Sequence, residues 1–228
     1  MPEQLRIDIN EFQSVTSNVY AAKPKDRLGV TLILGHGAGA GQSSDFMVSF
    51  ATELALRGID AVTFNFFYSE HGKRAPDPND KLEACYRAVI DGVRNHKNLD
   101  RSRLAIGGKS MGGRIASQVA AGATDIAALV FLGYPLHPPG KPETARSKHL
   151  SSIKSPMLFV QGSRDAFGTA DELSPVVKKL SSATLYVVED GDHSLKVPKR
   201  GGKTQEQVYR EVQEEIARWI KEVMSDEC

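Results

Sequence analysis

The stretch from Leu104 to Ala120 constrains this chain more than any other. Leu104-Ala105-Ile106 reads as the end of a buried strand, and Gly113 to Ala120 reads as a helix. Between them lies Gly108-Lys109-Ser110-Met111-Gly112, a G-x-S-x-G pentapeptide. A strand that turns into a helix this abruptly strains the backbone of the serine, and the flanking side chains must nearly vanish. Glycine meets both demands, because it lacks Cβ and tolerates positive φ. The pentapeptide alone is a common string; its setting between strand and helix gives it weight.

Strands and helices alternate on either side of this turn. Leu5, Ile7 and Ile9 alternate with polar residues, as in a half-buried strand, and Val15 to Tyr20 reads as its antiparallel partner. Val30-Thr31-Leu32-Ile33-Leu34 reads as a strand buried on both faces, which marks a parallel sheet. A helix is predicted from Ser44 or Asp45 to about Arg57, ended by Gly58, then a strand from Ile59 to Phe64. Asn65 to Tyr68 leads into a turn-rich loop, Ser69 to Pro78. Asp80 opens a helix with Leu82, Tyr86, Val89, Ile90 and Val93 on one face. Further strands are read at Ile126 to Leu132, Met157 to Val160 and Thr184 to Val188, with a helix from Asp171 to about Leu180. Val208, Val212, Ile216, Trp219, Ile220 and Val223 mark a closing amphipathic helix.

This alternation predicts an α/β architecture: a mostly parallel central sheet flanked by helices on both faces, one domain spanning residues 1–228. Sites in such sheets gather at the carboxyl ends of strands, where every unusual loop of this chain falls. The net charge is +1 with signs interspersed, so no global field favours nucleic acid or an anionic membrane. The start lacks the apolar core of a signal peptide, and no apolar run approaches a membrane span. Two cysteines, Cys85 and Cys228, do not make a disulfide framework, and a cytoplasmic location is expected. Neither spacing points to a metal site, and no cofactor is expected.

Three loops carry chemistry. Gly35-His36-Gly37-Ala38-Gly39-Ala40-Gly41 leaves the backbone nearly bare just after a strand. It fits no phosphate-loop pattern in register, but it suits an oxyanion hole, which needs unobstructed N–H groups beside a nucleophile. Ser110, Asp165 and His193 each follow a different strand. A serine hydroxyl needs an imidazole to take its proton, and the imidazole needs a carboxylate to fix its tautomer. Asp171, Asp190 and Asp192 compete with Asp165 for the last role; Asp192 is adjacent to His193 and cannot easily bend back to its ring. His36, which suits bracing of its own loop, competes with His193, as do His71 and His137. Lys109 reads as a solvated or bracing residue.

The order Ser…Asp…His resembles that of the α/β-hydrolase superfamily, from about Val30 to the C-terminus. The chain is more closely similar to the small dienelactone-hydrolase-like branch, which includes the hydrolase-like domain of a subunit of the NSL histone-acetyltransferase complex. The residues carrying this likeness are 36–41, 108–114, Gly133-Tyr134-Pro135-Leu136-His137-Pro138-Pro139-Gly140 and Gly191-Asp192-His193-Ser194. The resemblance implies Ser110 as nucleophile, His193 as base, Asp165 as its orienting acid, and the amides of Met111 and Ala38 as the oxyanion hole. It implies a serine hydrolase of carboxylesterase type, acting on small esters, thioesters or lactones through an acyl-enzyme. The alternative is a catalytically idle interaction module on the same scaffold. Too few residues separate Leu132 from Met157 for a large lid, so an open site is expected. Phe67, Tyr68, Tyr134 and Leu136 are expected to line its pocket. The expected partner is a small-molecule ester, not nucleic acid or membrane, with the chain as a monomer or homodimer.

Overall fold

The computed structural model describes residues 2–99, 102–123, 125–199 and 202–225. Strands β1 (Glu3–Asn10) and β2 (Gln13–Tyr20) form a hairpin at one edge of the sheet. β2 pairs antiparallel with β4 (Asp60–Phe64). From there β3 (Val30–Gly35), β5 (Arg103–Lys109), β6 (Ala128–Leu132), β7 (Met157–Gly162) and β8 (Ala183–Val188) continue in parallel. The spatial order is β1-β2-β4-β3-β5-β6-β7-β8. Parallel neighbours need crossovers, and the helices supply them.

The central strands are buried along their whole length because helices cover both faces. Ile33, Val62, Ile106, Phe131 and Phe159 point to one layer, made by α3 (Asn79–Arg94), α4 (Met111–Ala120) and α5 (Ala170–Val177). Leu32, Leu34, Ala61, Ala105, Val130 and Val160 point to the other, made by α1 (Asp45–Leu56) and α6 (Gln205–Ser225). Alternation of side chains along each strand thus feeds two separate cores from one sheet.

One helix was not foreseen. Phe67–Glu70 forms a single turn, α2, where the residue pattern suggests the entry to a loop. A tertiary contact holds it: the Glu70 carboxylate accepts from the amide and hydroxyl of Thr16, on β2, and from the Asn65 amide. The connection from β6 to β7 carries only two 3₁₀ turns, Pro142–Thr144 and Lys148–Ser152, so no helical lid arises there. Cys85 is a free, buried thiol; Cys228 lies outside the described residues. No helix among the described residues is long and apolar enough to cross a membrane.

The closest backbone packing lies where β3 and β5 end. A Cβ on Gly112 would stand 2.1 Å from the Gly35 carbonyl oxygen, and one on Gly108, at φ +150°, 2.2 Å from the same atom. α4 therefore starts in direct backbone contact with β3. The fully buried Tyr86 hydroxyl bridges the two strands beneath, 2.9 Å from the Ile33 carbonyl and 2.7 Å from that of Gly107, while accepting the Gly107 N–H. Gly112→Ala should cost about 3 kcal/mol of stability by overpacking. Urea unfolding measures this, and a loss below about 0.5 kcal/mol, as at an open surface site, would contradict the packing.

Candidate active site

Ser110 sits between β5 and α4 with φ +51° and ψ −115°, a conformation that side chains other than glycine rarely adopt. Its N–H donates to the Leu132 carbonyl at the end of β6, and its carbonyl accepts from Arg114 N in the first turn of α4. The elbow is thus pinned from both sides, and the strained residue cannot relax.

The structure brings three of the expected side chains together. His193 Nε2 lies 2.7 Å from Ser110 Oγ. His193 Nδ1 lies 2.8 and 2.9 Å from the two Asp165 carboxylate oxygens. Asp165 is fully buried, beyond the end of β7, and also accepts from the Phe167 N–H and the Gln161 side-chain amide. With Nδ1–H donated to the carboxylate, Nε2 is left as an acceptor facing the hydroxyl.

The competing residues are engaged elsewhere. Asp192 caps its own turn, accepting from Ser194 and Lys196 amides. Asp171 is exposed in the first turn of α5, and Asp190 is exposed beside Arg164. His36 is buried; Nδ1 donates to the Gly37 carbonyl and Nε2 accepts the Phe66 N–H. Burial holds its pKa below the ordinary value, so it braces the loop as a neutral ring. His71 is exposed against Phe67, and His137 is buried against Pro138 and Glu172. Among the described residues no cluster of His, Cys, Asp or Glu is arranged to hold a metal.

The glycine loop after β3 lies over the elbow. A Cβ on Gly37 would stand 3.7 Å from Ser110 Cβ. Met111 opens α4, so its N–H is one of the helix-terminal donors without an intrahelical acceptor. Ala38 and Met111 both border a cavity of about 250 Å³ that opens on Ser110. A second cavity of about 650 Å³ also opens on Ser110, lined by Phe46, Met47, Phe167, His193 and Tyr209.

Phe67, Tyr68, Tyr134 and Leu136 line neither cavity, and the expectation that they form the pocket is corrected here. Tyr68, Tyr134 and Leu136 are buried in the core, and Phe67 packs on His71. All four follow strand ends, but three are taken up in the core, and Phe67 packs against that core and on His71. The walls come instead from α1, α6 and the Asp165 loop. Phe167 stands between the cavities, borders both, and packs against the His193 ring at 4.2 Å.

One supporting residue, Gln161, escaped the sequence, and a second, Lys109, takes the bracing role of the two that the sequence left open. Gln161, at the end of β7, is fully buried; its amide donates to Asp165 and the Gly168 carbonyl, and its carbonyl accepts from Tyr134 N. A lone glutamine closing an apolar strand was the available signal. Lys109 is 9% exposed, and its ammonium donates to the His193 carbonyl at 2.5 Å. Burial pulls this lysine down to about 8, against the opposing pull of Asp165 and Asp192. The residue beside the serine thus holds the turn that carries the histidine.

Residues 29–221 match the family model described as alpha/beta hydrolase domain. The chain belongs to the α/β-hydrolase family. Solved α/β-hydrolase folds superpose on nearly all of it. A serine hydrolase without lid from Xanthomonas campestris has 21% identity and a TM-score of 0.74, covering 96% of this chain and 94% of that one. Est1E from Butyrivibrio proteoclasticus has 15% identity and a TM-score of 0.78, covering 97% and 99%. Dienelactone hydrolase from Anabaena variabilis has 16% identity and a TM-score of 0.73, covering 96% of both chains. At such identities the likeness is one of fold.

The strain at Ser110 is measurable. Ser110→Gly and Ser110→Ala remove the same hydroxyl, but only glycine relieves the positive φ. Ser110→Gly should be the more stable of the two by about 1 kcal/mol in thermal or urea unfolding. Equal stabilities would mean that the elbow stores no strain.

Proposed function

We propose that this α/β-hydrolase is a carboxylesterase-like serine hydrolase acting on small ester, thioester or lactone substrates, with Ser110, His193 and Asp165 as its triad. The single observation that carries this reading is the continuous chain of hydrogen bonds from Ser110 Oγ through the His193 ring to the buried Asp165 carboxylate.

The chemistry follows from that chain. Ser110 Oγ attacks the substrate carbonyl carbon while its proton passes to His193 Nε2. The carbonyl oxygen becomes an oxyanion and takes hydrogen bonds from the Met111 and Ala38 amides, strengthened by the positive end of α4. The tetrahedral adduct collapses, the carbon–oxygen bond to the leaving group breaks, and His193 returns the proton to the departing alkoxide. A water then gives a proton to His193 and its hydroxide to the acyl carbon; the bond from that carbon to Ser110 Oγ breaks, the acid leaves, and His193 returns the proton to Ser110 Oγ. Asp165 stays ionised throughout and stabilises the imidazolium. Est1E has been solved with ferulic acid bound, so a fold of this type accommodates an aromatic acid. The larger cavity here, walled by Phe46, Phe167 and Tyr209, supports an aromatic or aliphatic arm.

Turnover of short p-nitrophenyl esters tests the proposal. Ser110→Ala and His193→Ala should each lose about 10³-fold or more of kcat, and the double variant little beyond either alone. Wild-type turnover no faster than Ser110→Ala would refute it.

The pH profile carries a second signature. Above about pH 8 Lys109 loses its proton, the charge-assisted bond to the His193 carbonyl weakens, and the base loosens. The wild-type kcat/KM should therefore decline above about pH 8. Lys109→Met should be slower across the range and lack that alkaline decline. An identical alkaline limb in both proteins would exclude Lys109 as its source.

A further inference from the structure

The smaller cavity beside Ser110 carries two arginines, Arg114 and Arg146, and a single acid, Asp77. Arg114 is half-buried on α4, one helical turn beyond Ser110 and on the same side, about 6 Å further along the axis. Its guanidinium bonds only neutral amide oxygens, Asn79 Oδ1 at 2.8 Å and Gln118 Oε1 at 3.1 Å. Arg146 lies across the cavity on the β6–β7 connection. Its main chain is fixed at both ends: its N–H donates to the Leu136 carbonyl at 2.7 Å, and its carbonyl accepts the buried Tyr134 hydroxyl at 2.8 Å. Among the described residues neither guanidinium is ion-paired.

Two like charges held around one cavity repel: burial and then Arg146 depress the Arg114 pKa, against the smaller opposing pulls of Tyr134 and of Glu83, which reaches Arg114 only through Asn79. The one acid on the cavity wall, Asp77, spends a carboxylate oxygen on the Tyr68 N–H. Such an arrangement is unfavourable when empty and favourable once an anion enters, since guanidinium forks match carboxylate oxygens.

Position decides which half of a substrate brings the anion. The leaving oxygen must face His193 to receive its proton. His193 borders the large cavity and not the small one, so the leaving group extends into the large cavity and the acyl chain into the small one. The small cavity has the volume of about eight water molecules, enough for a short acyl chain.

We propose that the preferred substrates are monoesters or monothioesters of short dicarboxylic acids, their free carboxylate held by Arg114 and Arg146 while Ser110 attacks the esterified carbonyl. This rests on the hydrolase reading above. Hydrolysis conserves the anion: the ester bond breaks, water supplies hydroxyl to the acyl carbon and a proton to the alcohol, and a dicarboxylate leaves.

The test compares monobenzyl glutarate with benzyl pentanoate, in which a methyl replaces the free carboxylate, by the benzyl alcohol each releases. Wild-type kcat/KM should favour the anionic ester by about tenfold or more, as expected for a charge-assisted contact. The ratio should fall towards one in Arg114→Gln, drop below one in Arg146→Glu, and shrink with added salt. Arg146 is exposed, so its variant keeps the test available if Arg114→Gln fails to fold. A wild-type ratio at or below one, or a ratio unchanged in both variants, overturns the inference. In that case turnover of benzyl pentanoate that disappears in Ser110→Ala leaves the hydrolase reading standing. If wild type cleaves neither ester, both fall.

Discussion

A strained serine survives here because two stretches of backbone meet with nothing between them. Gly112 at the start of α4 and Gly108 at the end of β5 both abut the Gly35 carbonyl of β3. That contact lets α4 begin immediately after the strand and turns the Ser110 side chain out of the sheet at positive φ. Any side chain at either glycine would push α4 away from β3 and carry the hydroxyl with it. The cost of the strained φ is set against the two buried cores that the sheet and its helices form.

His193 reaches the serine through a second set of close contacts. A Cβ on Gly162 would collide with the Gly191 carbonyl, and one on Gly133 with the His193 carbonyl. The loops after β6, β7 and β8 therefore pack backbone on backbone, and Lys109 ties the last of them to the elbow. Asp165 needs no mobile partner, since Gln161 and the Phe167 amide fix its oxygens. Each member of the constellation comes from a loop held by neighbouring strands, so a parallel sheet supplies the precision that one loop alone could not.

The strands and long helices were legible because apolar residues follow a period of two or of 3.6 along the chain. The elbow and the glycine loop were legible because glycine density after a strand has few uses. The walls of the cavities were not. Phe46 and Tyr209 look like ordinary apolar positions on α1 and α6, and only tertiary packing places them beside Ser110. Tyr134 follows a strand end, as a pocket residue does, but its hydroxyl fixes the main chain at Arg146. Arg114 and Arg146 are far apart in the chain, and only the fold brings them to one cavity. Helix α2 depends on Glu70 reaching back to Thr16, a pairing that no local pattern encodes.

The proposed triad makes one hydroxyl, that of Ser110, reactive through His193. Intact-protein mass spectrometry after exposure to a fluorophosphonate, with peptide mapping, tests it most directly. One phosphonyl adduct is expected, mapped to Ser110 and absent from His193→Ala. An unmodified wild-type protein, or an adduct on another residue, would contradict it.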